Sequence, residues 1–195
     1  MNILLASQSP NRKRLLTQAG IPFESFAPNI DEHQYINDQD PPEAICLKIA
    51  QKKAQKAIEK HPNSLIIASD QMAYLNKSFY GKALTPQKAC QNLSQLQGQT
   101  HRLITSLYMH YKGETFTHNS INEMSMRPLT QKQIENYVQL DQPLHCAGSY
   151  HIESLGIGLF TKIKTEDFNS IIGLPLIVLI NQLMTWGYPY LSSSR

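Results

Sequence analysis

Apolar positions along this chain repeat with two different periods, and the alternation between them predicts a mixed α/β order. Short apolar runs at residues 3–6 and 65–68 predict buried strands. Ser9 as N-cap and Pro10 at the first helical position open a helix over residues 10–19, with Leu15, Leu16 and Ala19 inward and Gly20 at its end. A strand over 23–27 leads through a polar bend at 28–32 to a flexible loop over 33–41. The next helix spans 42–60 and carries Cys46, Ile49, Ala50, Lys53, Ala54 and Ala57 on one stripe.

After the 65–68 run, a second short strand at 72–75 turns at Asn76-Lys77 and returns through Phe79 and Tyr80. Thr85-Pro86 starts a capped helix packed through Ala89, Leu93 and Leu96 and closed by Gly98. Residues 100–111 and 115–126 alternate as strands and join at Lys112-Gly113, which predicts an antiparallel hairpin. Thr130-Gln131-Lys132-Gln133 is a capping box for a helix to residue 140, with Ile134, Tyr137 and Val138 inward. A strand over 157–163 and a last helix beyond Gly173-Leu174-Pro175, ended by Gly187, complete the order; a frayed tail over 191–195 follows.

Composition narrows the function classes. A chain of 195 residues fits one domain, or two small lobes sharing a sheet. Its net charge of +3, with dispersed basic residues and no aromatic interleaving, argues against nucleic acid. The amino terminus lacks a signal-peptide pattern, and the longest apolar stretch, 171–180, is broken by Pro175 and falls short of the roughly 20 residues a bilayer span needs. Cys46, Cys90 and Cys146 are odd in number and scattered, which fits a reducing compartment. The expectation is a soluble, cytoplasmic protein with no membrane partner.

Several charged residues stand where structure alone does not ask for them. Asp70 follows a buried strand, where open α/β sheets place ligand chemistry, and a hairpin could return Lys82 toward it; a turn cap and a solvated lysine are the alternative. Arg12, Lys13 and Arg14 crowd the positive end of a helix dipole, which costs a few tenths to about 1 kcal/mol per charge unless an anion sits there. A solvated basic turn competes with that reading. Lys53 lies on a buried helix stripe, where it wants an anion or snorkels to the edge. Asp31-Glu32 reads as a ligand or cation site, or as an acidic surface turn. His145-Cys146 reads as structural, since neighbours in extended chain point to opposite faces. Gly156-Ile157-Gly158 is a fragment of a dinucleotide fingerprint without the strand before it, so a Rossmann cofactor site is discarded.

Taken jointly, Leu5-Ala6-Ser7-Gln8-Ser9-Pro10-Asn11-Arg12-Lys13, Asp31-Glu32, Ala50-Gln51-Lys52-Lys53-Ala54, Ser69-Asp70-Gln71, Gly81-Lys82, Ala147-Gly148-Ser149-Tyr150 and Gly173-Leu174-Pro175-Leu176 resemble the Maf family of nucleoside triphosphate pyrophosphatases. The resemblance covers about the whole chain, as a single Maf-like domain over 1–195. It implies a fold like that of the inosine triphosphatases, with a central curved mixed sheet, flanking helices and a cleft between two lobes. It implies cleavage between the α and β phosphates of a nucleotide with a divalent metal, magnesium or manganese.

Ser69-Asp70-Gln71, the 144–149 stretch and Ile152-Glu153-Ser154-Leu155-Gly156 resemble the branch acting on 7-methyl-GTP rather than the branch acting on dTTP and UTP. By position, Asp70 is then the proton acceptor, and Asn11, Gln71 and Glu153 are the positions associated with base selection. The chemistry of the residues agrees: Arg12, Lys13, Lys53 and Lys82, with Ser9, are the candidate phosphate contacts, and Asp70 orients a water either directly or as a metal ligand, with Glu32 a candidate second metal ligand. Two positions depart from the pattern: Arg12-Lys13 replaces paired arginines, losing one bidentate fork, and Asn11 stands where this branch often has tryptophan. The resemblance also implies a homodimer. The competing class is a non-catalytic nucleotide-sensing regulator of cell division, which would have little use for a carboxylate facing a triphosphate.

Overall fold

Strands β1 (Ile3–Leu5) and β3 (Leu65–Leu75) run parallel and in register, Leu4 beside Ile66, and their side chains alternate between two buried faces. Ile3, Leu5, Leu65 and Ile67 join one core with Leu15 and Leu16 of helix α1 (Pro10–Gln18) and Leu179 and Leu183 of helix α6 (Leu176–Thr185). Leu4, Ala6, Ile66 and Ala68 join a second core with Ala50, Ala54 and Ala57 of helix α2 (Pro42–Lys60). Burial on both faces is why these strands read as continuous apolar runs. These contacts come from a computed structural model that describes residues 1–37 and 39–192. Residue 38 of the expected loop and residues 193–195 of the expected tail lie outside the described residues.

The sheet is mixed and seven-stranded, in the order β2-β1-β3-β5-β6-β7 with β4 paired to β3. The other strands are β2 (Glu24–Ser25), β4 (Ser78–Tyr80), β5 (Thr100–Tyr111), β6 (Glu114–Met126) and β7 (Phe160–Lys164). β2 is parallel to β1, while β4 and β7 are antiparallel to β3 and β6. With its flanking helices this is the expected α/β class.

The chain divides into two compact units. The first comprises Met1–Asp70, Ser106–Asn119 and Asp167–Arg195, and contains both cores described above. The second comprises Gln71–Thr105 and Ser120–Glu166. There, helices α3 (Pro86–Leu96) and α4 (Gln131–Asp141) bury Ala89, Leu93, Leu96, Ile134, Tyr137 and Val138. Thr85 caps α3 by accepting from Lys88 N–H, and the Thr130–Gln133 capping box of α4 is complete. No helix among the described residues is long and apolar enough to cross a membrane.

Four local expectations need correction. The 65–68 and 72–75 strands are one strand, β3, so Asp70 lies in mid-strand and not at a carboxyl end. Ser9 makes no side-chain cap; its own N–H instead donates to Ser7 Oγ at 3.1 Å. The 33–41 loop contains a 3₁₀ turn at His33–Tyr35. Residues expected to begin the last strand form a 3₁₀ segment, Leu155–Leu159, and the strand starts only at Phe160.

Candidate active site

The parity of β3 decides what each of its polar residues meets. Asp70 lies on the same side of the strand as Ile66 and Ala68, the side covered by α2. Two residues of α2 reach it: Lys53 Nζ donates to Asp70 Oδ1 at 2.6 Å, and Cys46 Sγ lies 3.9 Å from Asp70 Oδ2. Positions 46 and 53 are two helical turns apart, hence on one face. Lys53 Nζ is also 2.6 Å from Glu32 Oε1, so one ammonium bridges two carboxylates. The Lys53 and Asp70 side chains are each 7% exposed, whereas Glu32 is 37% exposed.

Ser69 points to the opposite side of β3 and donates from Oγ to the Gly173 carbonyl at 2.9 Å. Arg12 Nε donates to that same carbonyl at 3.0 Å, and Arg12 Nη1 reaches Ser7 Oγ at 3.3 Å. Arg12 is thereby fixed by its backbone and hydroxyl partners and is not a loose member of a basic turn. Gly173 has φ +136°, and a Cβ there would sit 3.4 Å from Arg12 Nε. The short helix α5 (Phe168–Ile172) delivers this glycine; Asp167 caps it by accepting from Asn169 N–H and also accepts from Ile177 N–H.

Burial is the leading electrostatic influence. It holds the Asp70 carboxyl above the usual range; Lys53 and Arg12 pull it back, and Glu32 adds to the rise. Burial lowers the Arg12 guanidinium, opposed by Asp70 and Glu32. The Cys46 thiol is pushed up by burial and by Asp70, so it stays protonated and can serve Asp70 only as a hydrogen donor. In this first unit, then, the structure brings Arg12, Glu32, Lys53 and Asp70 into one charged cluster. Ser9, Asn11 and Lys13 lie at the start of α1, all half-buried.

The remaining predicted site residues belong to the second unit. Gln71 Nε2 donates to Thr105 Oγ1 at 2.9 Å. Lys82 and Glu153 both act on Cys146, whose thiol is pushed up to about 12 by burial first, then by Glu153 and Asp141, with Lys82 opposing. Lys82 and Glu153 therefore share one neighbourhood around Cys146. The ion-pair partner of Asp70 within the first unit is Lys53.

Sequence reasoning missed Ser7, Cys46 and the Gly173 carbonyl as supports of the charged residues. Ser7 and Gly173 lie inside the quoted motifs but carry no charge to draw notice. Cys46 shares the stripe of Lys53, and that spacing was a usable signal.

Residues 2–186 match the Maf-like protein family. The chain is 41% identical to a 7-methyl-GTP pyrophosphatase of Nitrosococcus oceani, over 97% of this chain and 95% of that one. It is 40% identical to proteins of the same name from Bdellovibrio bacteriovorus, over 91% and 93% of the two chains, and Vibrio vulnificus, over 95% of each. With nearly the whole chain matched, and with the buried Asp70 cluster falling within that match, this protein belongs to the Maf-like family.

Proposed function

We propose that this protein is a nucleoside triphosphate pyrophosphatase that hydrolyses 7-methyl-GTP to 7-methyl-GMP and pyrophosphate. The observation that carries the reaction is the Asp70 carboxylate, buried and held by Lys53 beside Arg12 and Glu32. The names of the relatives support the substrate.

In this reading Asp70 orients a water and accepts its proton. The water oxygen bonds to phosphorus, the α–β bridging P–O bond breaks, and pyrophosphate leaves. A triphosphate brings about four negative charges, and Arg12, Lys13, Lys53 and Lys82, with Ser9, are assigned to it. Arg12 is preorganised by Gly173 and Ser7, so it costs little ordering when substrate arrives. Asn11, Gln71 and Glu153 are assigned to the base; the Glu153 carboxylate suits the guanine N1–H and exocyclic amine and the cationic methylated ring.

Two side chains, Asp70 and Glu32, offer a divalent cation oxygen donors, although no group of three or more His, Cys, Asp or Glu suited to a metal occurs among the described residues. Asp70 and Glu32 are hard oxygen donors whose carboxylates already flank a single positive charge, the Lys53 ammonium. Magnesium or manganese, held by Asp70 and Glu32 together with waters and phosphate oxygens, would supply charge neutralisation at the scissile anhydride. A homodimer and a cytoplasmic location belong to the same reading.

A panel of 7-methyl-GTP, GTP, dTTP, UTP and CTP, with pyrophosphate separated from phosphate, tests it. Pyrophosphate from 7-methyl-GTP is the expected product. Release from another nucleotide alone would keep the reaction and overturn the base assignment, and tight binding without turnover would favour the nucleotide sensor.

A further inference from the structure

Asp141 is the last residue of α4, where a carboxylate works against the helix dipole, so helix stability does not explain its presence. Its side chain is nonetheless only 7% exposed, and it gathers contacts from one short stretch of chain. Ser154 Oγ donates to Asp141 Oδ1 at 2.7 Å. The His151 ring places Nδ1 3.5 Å from Asp141 Oδ2, an oxygen that accepts no hydrogen bond among the described residues. The His151 backbone N–H donates to Tyr137 OH at 3.0 Å. One carboxylate and one phenol on α4 thus grip the chain at residues 151 and 154. Between these two points lie buried Ile152 and exposed Glu153.

The same stretch is folded back on itself. A Cβ at Gly156 would run into the His151 carbonyl, so the turn closes only because residue 156 has none. Glu153 has a flexible side chain on an exposed turn, and such a residue selects a ligand only when its backbone is fixed. The two anchors supply that fixing from both sides.

We infer that Asp141 is a positioning residue for nucleotide choice, holding Ser154 while Tyr137 of the same helix holds the His151 N–H, so that the Glu153 carboxylate between them is presented in one place. The inference rests on the base-selecting role proposed for Glu153. Asp141 touches neither phosphate nor base; it acts through the chain beside Glu153.

The test combines amide exchange with a mutant cycle. Asp141→Asn and Ser154→Ala, the second a milder change at an exposed position, are each made alone and with Glu153→Gln. Expected is faster exchange of the amides at 151–154 in both single variants. Also expected is a roughly tenfold fall in the ratio of kcat/KM for 7-methyl-GTP over GTP, with GTP turnover nearly unchanged. In the Glu153→Gln background the further fall should vanish, because the clamp then has nothing to present. Unchanged exchange, equal losses on both nucleotides, or effects that add to those of Glu153→Gln would overturn the clamp and leave the pyrophosphatase reading standing. A wild-type protein that does not cleave 7-methyl-GTP would overturn that reading instead, and the exchange rates would then judge the clamp by themselves.

Discussion

Lys53 Nζ meets Asp70 Oδ1 at 2.6 Å within a buried part of the first unit, and it does so because residue 70 shares the α2-facing parity of Ile66 and Ala68. A buried ion pair is weak support for stability while intact, but removing one partner strands the other. Lys53→Met should destabilise the fold by about 3 kcal/mol, since two carboxylates then face each other without the ammonium that bridges them. Lys53→Met combined with Asp70→Asn should recover much of that loss. Denaturant titration of the three variants checks this; strictly additive losses would show that the pair is not coupled.

Gly173 sets the place of Arg12. Its carbonyl accepts from both Arg12 and Ser69, and its φ of +136° is foreign to residues with a side chain. Gly173→Ala should cost about 1–3 kcal/mol of stability through backbone strain. It should also raise KM for the nucleotide more than it lowers kcat, as the guanidinium shifts from its contact. Unchanged KM in a folded variant would mean that Arg12 does not hold substrate.

His101 gives the fold an acid weakness. It is 1% exposed, its Nε2 lies 2.9 Å from Tyr150 OH, and its Nδ1 has no hydrogen-bond partner among the described residues. Burial depresses its pKa to about 4 from the ordinary 6.5. Between those values the unfolded chain binds a proton that the folded protein refuses, so stability rises with pH through this window. The His101 contribution is fully present above pH 6.5 and is lost progressively as pH falls toward 4, on the order of 3 kcal/mol in all. His101→Phe should flatten that part of the stability–pH curve by about one proton, measured by urea titration at successive pH values.

Much of this was legible in the residues. The bounds of α2 and β5, the Thr130 capping box and the inward faces of α3 and α4 follow from local period and cap chemistry, which act over a few residues. The buried lysine at position 53 was legible for the same reason, because a charge on an apolar stripe contradicts its surroundings. What could not be read was register across the sheet. Nothing local says that 65–68 and 72–75 are one strand, because Ser69, Asp70 and Gln71 are polar and look like a break. Their polarity is satisfied by partners far along the chain: Lys53, the Gly173 carbonyl and Thr105. The same holds for Ser9, which makes no side-chain cap while its N–H and Arg12 both donate to Ser7 Oγ. The Asp141 clamp joins a helix end to a loop through side chains that no motif marks.

The most direct test of the central claim is the rate of pyrophosphate release from 7-methyl-GTP by the wild-type protein and by Asp70→Asn, with magnesium or manganese present. An amide keeps the shape of the carboxylate and can still accept from Lys53, but it cannot take a proton from water. The account predicts pyrophosphate and 7-methyl-GMP from the wild type, and a fall of at least about 10²-fold in kcat for the variant with its fold intact. A folded Asp70→Asn protein that releases pyrophosphate at the wild-type rate would contradict it.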